Sequence, residues 1–231
     1  MKFHIEILEG VPAIDAGNNT FLLVDTGSPL SFDKSGFINI FKNKYPVPTS
    51  LGGMIDAQYL QKNIHQNITG LIGMDIIQNH LIYFNYQEKF LTIDEQTDIM
   101  QNETFSKIPV RFTNKIPVVE IFLPQLNNLL QSLIDSGSKH SYVSSDFINN
   151  LSPIGEEQDF NPFLGHFQTT KYSPFEYRIG NTYYTHPICQ YSKLSEILKM
   201  FNAQALLGFD LLNARPWVLD SKHSLFFYLD K

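Results

Sequence analysis

Lys2–Leu8 alternates polar and apolar residues, with Phe3, Ile5 and Ile7 on one face, and this period of two predicts a half-buried strand. Gly10–Asn19 reads as a turn-rich connection. Thr20–Asp25 is then a continuous apolar run that suits a strand covered on both faces. Leu30–Phe32 predicts a short return strand, whereas residues 36–45 show no clear period. Pro46, Pro48 and Gly52-Gly53 punctuate two extended segments, with Met54–Leu60 as the returning arm of a hairpin. Ile68–Ile72 predicts another strand, Met74–Gln78 a short helix, and His80–Tyr86 with Lys89–Ile93 a hairpin.

Asp94–Lys107 is dense in Asp, Glu, Gln, Asn and Thr and marks a connector. The expected division is a first lobe over 1–95, a linker over 96–107 and a second lobe over 108–231. Val110–Phe112, Pro117–Leu123 and Leu129–Asp135 predict strands, and Ser144–Asn150 a short helix with Ser144 or Ser145 as its N-cap. Phe175–Ile179 and Thr182–Tyr184 flank the tight-turn pair Gly180-Asn181. Leu194, Ile197, Leu198 and Phe201 share one side of a predicted helix over Ser192–Phe201. Trp217–Leu219 and Ser224–Leu229 form a closing hairpin like the one that ends the first lobe.

Beneath this alternation lies a repeat, which is the strongest signal in the chain. Phe21-Leu22-Leu23-Val24-Asp25-Thr26-Gly27-Ser28 carries a carboxylate from an apolar run into a turn. Leu133-Ile134-Asp135-Ser136-Gly137-Ser138 does the same in the second half. Each copy is followed by an apolar pair ending in Gly, Leu71-Ile72-Gly73 and Leu206-Leu207-Gly208, and each of these continues to an Asp, Asp75 and Asp210. Leu51-Gly52 precedes Tyr59 by the same interval at which Leu164-Gly165 precedes Tyr172. The chain reads as two copies of one mostly-β unit. Two strand ends that each carry an Asp suggest carboxylates meeting across an internal two-fold, the chemistry of acid–base water activation. The plainer alternative is that Asp25 and Asp135 cap tight turns.

Composition narrows the function classes. The 231 residues are 43% hydrophobic, enough for substantial cores. A net charge of −6 without a run of Lys or Arg argues against nucleic acid or an anionic membrane as partner. Cys189 stands alone, so neither an internal disulfide nor a cysteine zinc site is available. The seven histidines are scattered without paired ligand spacing, and neither a Gly-x-Ser-x-Gly elbow nor a phosphate-binding glycine loop is present. No signal-peptide pattern opens the chain and no apolar stretch reaches membrane-spanning length. The expectation is a soluble protein, cytoplasmic rather than secreted.

Together these motifs resemble the aspartic peptidases, the group that holds pepsin-like and retropepsin-like enzymes. The resemblance covers both halves: Asp25-Thr26-Gly27-Ser28 and Asp135-Ser136-Gly137-Ser138 match the catalytic motif, and the two apolar-Gly elements match the second signature. It implies an all-β chain of two pseudo-symmetric retropepsin-like β-barrel lobes with a few short helices. It also implies a monomeric endopeptidase acting on peptide or protein substrates, blocked by statine-type inhibitors, with no cofactor or metal. Asp25 and Asp135 would be catalytic. Thr26 and Ser136 would cross-link the two loops, and Gly27 and Gly137 would let the backbone approach the substrate. Ser28 and Ser138 would hydrogen-bond the carboxylates, favouring ionisation and an acid-leaning pH optimum. Gly52-Gly53 marks the candidate flap, and Gly165 either a second flap or a surface hairpin. The competing reading is a peptide-binding module that keeps the cleft without the activity.

Overall fold

Thr20–Val24 (β3) is buried at Leu22, Leu23 and Val24 because a strand pairs with it along each edge. Lys2–Leu8 (β1) and Val11–Gly17 (β2) lead into it as an antiparallel meander, with Ile5 opposite Ile14 and Ala13 opposite Leu23. Ile68–Ile72 (β9) lies parallel to it on the other side, and Phe32–Asp33 (β4) closes antiparallel on β9. These coordinates are a computed structural model that describes residues 1–40, 43–94, 105–148 and 151–230.

Three expectations are corrected in this half. The connection after Gly10 contains β2, whose Val11–Ile14 segment is buried. The turn residues Gly10, Gly17, Asn18 and Asn19, all with positive φ, flank the strand and disguise it. Residues 36–45, which lack a period, form Phe37–Ile40 (β5) and Asn43–Pro46 (β6), an antiparallel pair. The arm expected over Met54–Leu60 is instead the two-residue strand Ile55–Asp56 (β8), paired with Ser50–Leu51 (β7), followed by the helix Ala57–Asn63 (α1). Asp56 caps that helix by accepting from the Tyr59 N–H at 2.8 Å, and Ala57 and Leu60, three residues apart, face inward.

The second half repeats the design. Asn128–Ile134 (β15) is covered by Ile116–Leu123 (β14), with Arg111–Thr113 (β13) on the outer edge of β14, and by the parallel Ala205–Leu207 (β20), on which Tyr142–Val143 (β16) closes antiparallel. A helix precedes the parallel strand in each half: α1 before β9, and Ser192–Met200 (α3) before β20. A short helix follows it, Met74–Ile77 (α2) and Phe209–Leu212 (α4). The second half adds a long antiparallel stack, Pro153–Asn161 (β17), Gly165–Ile179 (β18) and Thr182–Gln190 (β19). Ser145–Phe147 is a single 3₁₀ turn, with Ser144 at the cap position but making no side-chain cap bond.

The halves share one sheet. The hairpin Leu81–Asn85 (β10) and Phe90–Ile93 (β11) pairs with Trp217–Asp220 (β21) and Leu225–Leu229 (β22), placing Phe84 opposite Trp217. Trp217 is fully buried and stacks on Phe84 at 4.3 Å, a geometry that adds about 0.5–1.5 kcal/mol beyond area burial. Phe105–Pro109 (β12) joins the same sheet beside β22, so the expected linker has become strand by Phe105; its residues 96–104 lie outside the described part. Among the described residues no helix is long and apolar enough to cross a membrane.

Candidate active site

The two repeated turns meet at the junction of the halves. Each carboxylate leaves the end of a buried strand whose backbone is held by the parallel neighbour: the Asp25 N–H donates to Ile72 O at 3.0 Å and the Asp135 N–H to Leu207 O at 3.0 Å. Within each turn the glycine N–H donates to the carboxylate, Gly27 to Asp25 Oδ1 at 2.7 Å and Gly137 to Asp135 Oδ1 at 2.9 Å. The loops are cross-linked reciprocally. Thr26 Oγ1 donates to Ile134 O at 2.8 Å and accepts from the Ser136 N–H at 2.9 Å. Ser136 Oγ donates to Val24 O at 2.9 Å and accepts from the Thr26 N–H at 3.0 Å. Both hydroxyls are fully buried, and every polar group in the cross-link is satisfied. A Cβ on Gly27 would collide with the Asp135 carboxyl, and one on Gly137 with that of Asp25. Glycine is thus required where each loop faces the other's carboxylate.

Removal from water raises the pKa of both acids, although each residue keeps part of its surface open to the cleft. Asp25 recovers much of that cost from the Gly27 N–H, the Asp135 carboxyl, and the Ser28 and Gly137 N–H groups, all of which favour its anion. Asp135 is pushed well above the usual carboxylate range by burial, then by the Asp25 charge and its hydrogen bond to Asp25. The pair therefore holds one proton in common over a range where isolated acids would hold none.

Ser28 and Ser138 do not act as expected. Their hydroxyls turn away from the carboxylates and donate to carbonyls two residues on, Ser28 to Leu30 O at 2.8 Å and Ser138 to His140 O at 2.9 Å. A hydroxyl satisfied this way stiffens the turn and leaves carboxylate ionisation to backbone donors. Asp75 and Asp210 brace the glycine signatures. Ser31 Oγ accepts from the Gly73 N–H at 2.8 Å and donates to Asp75 Oδ1 at 2.5 Å; Ser141 does the same between Gly208 and Asp210 at 2.9 and 2.6 Å. His140 is buried, with Nδ1 3.7 Å from Asp210 Oδ2.

Two cavities flank the pair. A cavity of about 260 Å³ beside Asp25 is walled by Val11, Leu23, Leu60, Ile64 and Leu71 of the first half and covered by Phe160 and Pro162 of the second. The other, of about 80 Å³, is walled by Tyr142, Phe167, Leu194 and Leu206 of the second half and covered by Leu51 and Ile55 of the first. Gly52 and Gly53 form the tip between β7 and β8, with φ of 58° and 72°, and present an exposed Met54. Gly165, also with positive φ, opens β18 just past the tip formed by residues 162–164, and Phe163 at that tip lines the smaller cavity. This second hairpin is much the longer, and it reaches the first half: Tyr59 Oη donates to Pro162 O at 3.2 Å, and His166 Nε2 lies 3.0 Å from Asn63 Oδ1. The matched spacing of Tyr59 and Tyr172 does not survive, since Tyr59 lies on α1 and Tyr172 in β18. Asp159, Phe160 and Tyr142 were absent from the sequence-derived site. Only Tyr142 carried a signal, standing seven residues after Asp135 as Phe32 does after Asp25. Among the described residues no group of three or more His, Cys, Asp or Glu is placed to hold a metal ion.

Neither a protein-family model nor a curated protein sequence matches the chain. Solved structures do. An aspartic proteinase from Irpex lacteus is similar over 100% of this chain and 97% of its own, with a TM-score of 0.58 at 10% identity. Basic 7S globulin from soybean is similar over 99% of this chain and 94% of its own, with a TM-score of 0.53 at 8% identity. The chain has the all-β fold of the pepsin-like aspartic proteinases, over its full length. One neighbour is named a proteinase and the other a globulin, so the fold alone does not carry activity.

Proposed function

We propose that this protein is an aspartic endopeptidase in which Asp25 and Asp135 activate a water against a peptide carbonyl. The observation that carries this reading is the reciprocal cross-link through Thr26 and Ser136, which holds two hydrogen-bonded carboxylates face to face in an apolar cleft. A module that only binds peptides has no chemical need for two acids at this cost in burial. The ionised member of the pair takes a proton from water as that water attacks the carbonyl carbon. The protonated member donates its proton to the carbonyl oxygen, giving a tetrahedral diol, and proton return to the amide nitrogen releases the two products. Neither metal nor covalent enzyme intermediate enters these steps. The substrate lies extended between the two hairpins, pairing with strand edges. The apolar walls on both sides of the pair favour apolar side chains flanking the cut.

The acid-leaning optimum expected from Ser28 and Ser138 loses its basis, because those hydroxyls do not reach the carboxylates. Burial sets the profile instead. Activity needs one proton on the pair, so it is lost below the lower titration and above the upper one. Both acids are raised, so both limbs of the kcat/KM profile lie above the 3.8 of an ordinary Asp. The test is cleavage of a mixed peptide library from acid to neutral pH. A bell with its acid limb above 3.8 is expected. Tight peptide binding with no cleavage at any pH would favour the binding-module reading.

A further inference from the structure

We propose that Asp159, clamped by the Tyr142 hydroxyl at the edge of the cleft, breaks the two-fold equivalence of the carboxylate pair and fixes the shared proton on Asp135. This rests on reading the pair as an acid–base couple, and it makes Asp159 a positioning residue that acts through Asp135.

Asp159 lies in β17 and is 8% exposed, yet it lines both cavities beside the pair. Its Oδ2 accepts from Tyr142 Oη at 2.5 Å and its Oδ1 from the Phe160 N–H at 2.7 Å. Among the described residues no Lys, Arg or His forms an ion pair with it. The other titratable groups around it are Lys139 and His140 on the catalytic loop and Cys189 on β19. Across the larger cavity stand Glu9, Asp25 and His166. The two-fold counterpart of Tyr142 is Phe32, which packs on Leu71 as Tyr142 packs on Leu206 but has no hydroxyl. At this position the first half therefore offers no hydroxyl to hold such an acid.

A buried carboxylate with no ion-pair partner acts on a nearby acid once it is ionised, because little solvent screens it. Burial raises the pKa of Asp159 itself, and the Tyr142 hydroxyl, the Phe160 N–H and the charges of His140 and Lys139 act in the opposite direction, favouring its anion. After burial, the Asp25 charge and the hydrogen bond to Asp25, the charge of Asp159 adds a further, smaller upward push on Asp135, where Gly137 alone is a backbone donor to the anion, against Gly27, Ser28 and Gly137 at Asp25. The asymmetry has a chemical consequence. Asp135 becomes the proton donor to the carbonyl oxygen and Asp25 the base, although their loops are built alike.

The test is carboxyl carbon NMR titration of the full chain labelled at aspartate, in wild type, Asp159→Asn and Tyr142→Phe. Asp159→Asn should lower the upper titration of the pair by about one pH unit and hardly move the lower one. The alkaline limb of cleavage should fall equally, about a tenfold loss of rate above it. Tyr142→Phe, which copies the first half, removes a donor to the Asp159 anion, so the titration of Asp159 itself should rise. An unmoved upper titration in a folded Asp159→Asn chain overturns the proposal, even where wild type cleaves peptides. If that variant does not fold, an upper titration of the pair that stays unmoved in Tyr142→Phe while the titration of Asp159 rises overturns it. A shifted titration in a chain that cleaves nothing upholds the proton placement and rejects only the peptidase reading.

Discussion

Replacing Asp25 or Asp135 with Asn lowers the rate of peptide hydrolysis by about 1,000-fold or more and leaves the protein folded, with equal or greater stability at neutral pH. An amide at either position keeps the shape and still accepts from the glycine N–H, but it can neither take the proton of water nor return one. The stability follows from linkage. Both folded-state pKa values are raised, so the folded chain holds protons that the unfolded chain, titrating near 3.8, has released. The stabilising effect is complete below 3.8 and is lost as pH rises through the folded-state values. Asn at either site removes part of that loss. Steady-state kinetics beside thermal melts at acid and neutral pH check both halves of this expectation. Full activity in either variant would contradict the roles assigned to the pair.

Gly27→Ala carries the second large effect. Its Cβ would collide with the Asp135 carboxyl, and Gly137→Ala would press on Asp25 in the same way. The loops cannot retreat, because Thr26 and Ser136 tie each to the strand end of the other half. The carboxylate must move instead. A displacement near 1 Å costs about 100-fold in rate, read as a fall in kcat with a smaller change in KM. The same change at Gly52, whose Cβ meets nothing within 4 Å, should cost far less, because only its positive φ opposes it.

The parts legible in the sequence were those written locally. An apolar run ending in Asp-Thr-Gly-Ser states both a buried strand and its turn, and its second copy states the symmetry. What stayed hidden depended on distant partners. Val11–Ile14 is a buried strand because β1 and β3 cover it, while Gly10, Gly17 and two asparagines around it read only as turns. Met54–Leu60 carries the pattern of an extended arm, but Asp56 caps a helix whose Ala57 and Leu60 sit under β9 and its neighbours. The hydroxyl directions of Ser28 and Ser138 are set by carbonyls at Leu30 and His140, which no motif specifies. Asp159 had no pattern at all, since its significance lies in a hydroxyl on Tyr142 and in a hairpin that folds back over the cleft.

The shared sheet explains why such a site can be shallowly anchored in sequence yet rigid in space. Phe84, Trp217, Phe226 and Tyr228 form a continuous aromatic layer where β10 meets β21 and β22, and Tyr86, just past the end of β10, lies close enough to Asp135 to feel its charge. Relative movement of the halves would break this layer before it altered the carboxylate spacing. The hairpins, by contrast, are held to the opposite half by a few contacts such as that from Tyr59 to Pro162. On the proposed function, substrate entry would call for motion of the hairpins rather than of the floor.

Inhibition of peptide cleavage by a statine-type transition-state analogue is the most direct measurement of the central claim, because its tetrahedral hydroxyl-bearing carbon mimics the diol of the proposed step. The expected result is complete inhibition at one analogue per chain, with binding lost in Asp25→Asn and Asp135→Asn. Cleavage that persists with the analogue saturating, or that survives in both variants, would contradict a water activated between Asp25 and Asp135.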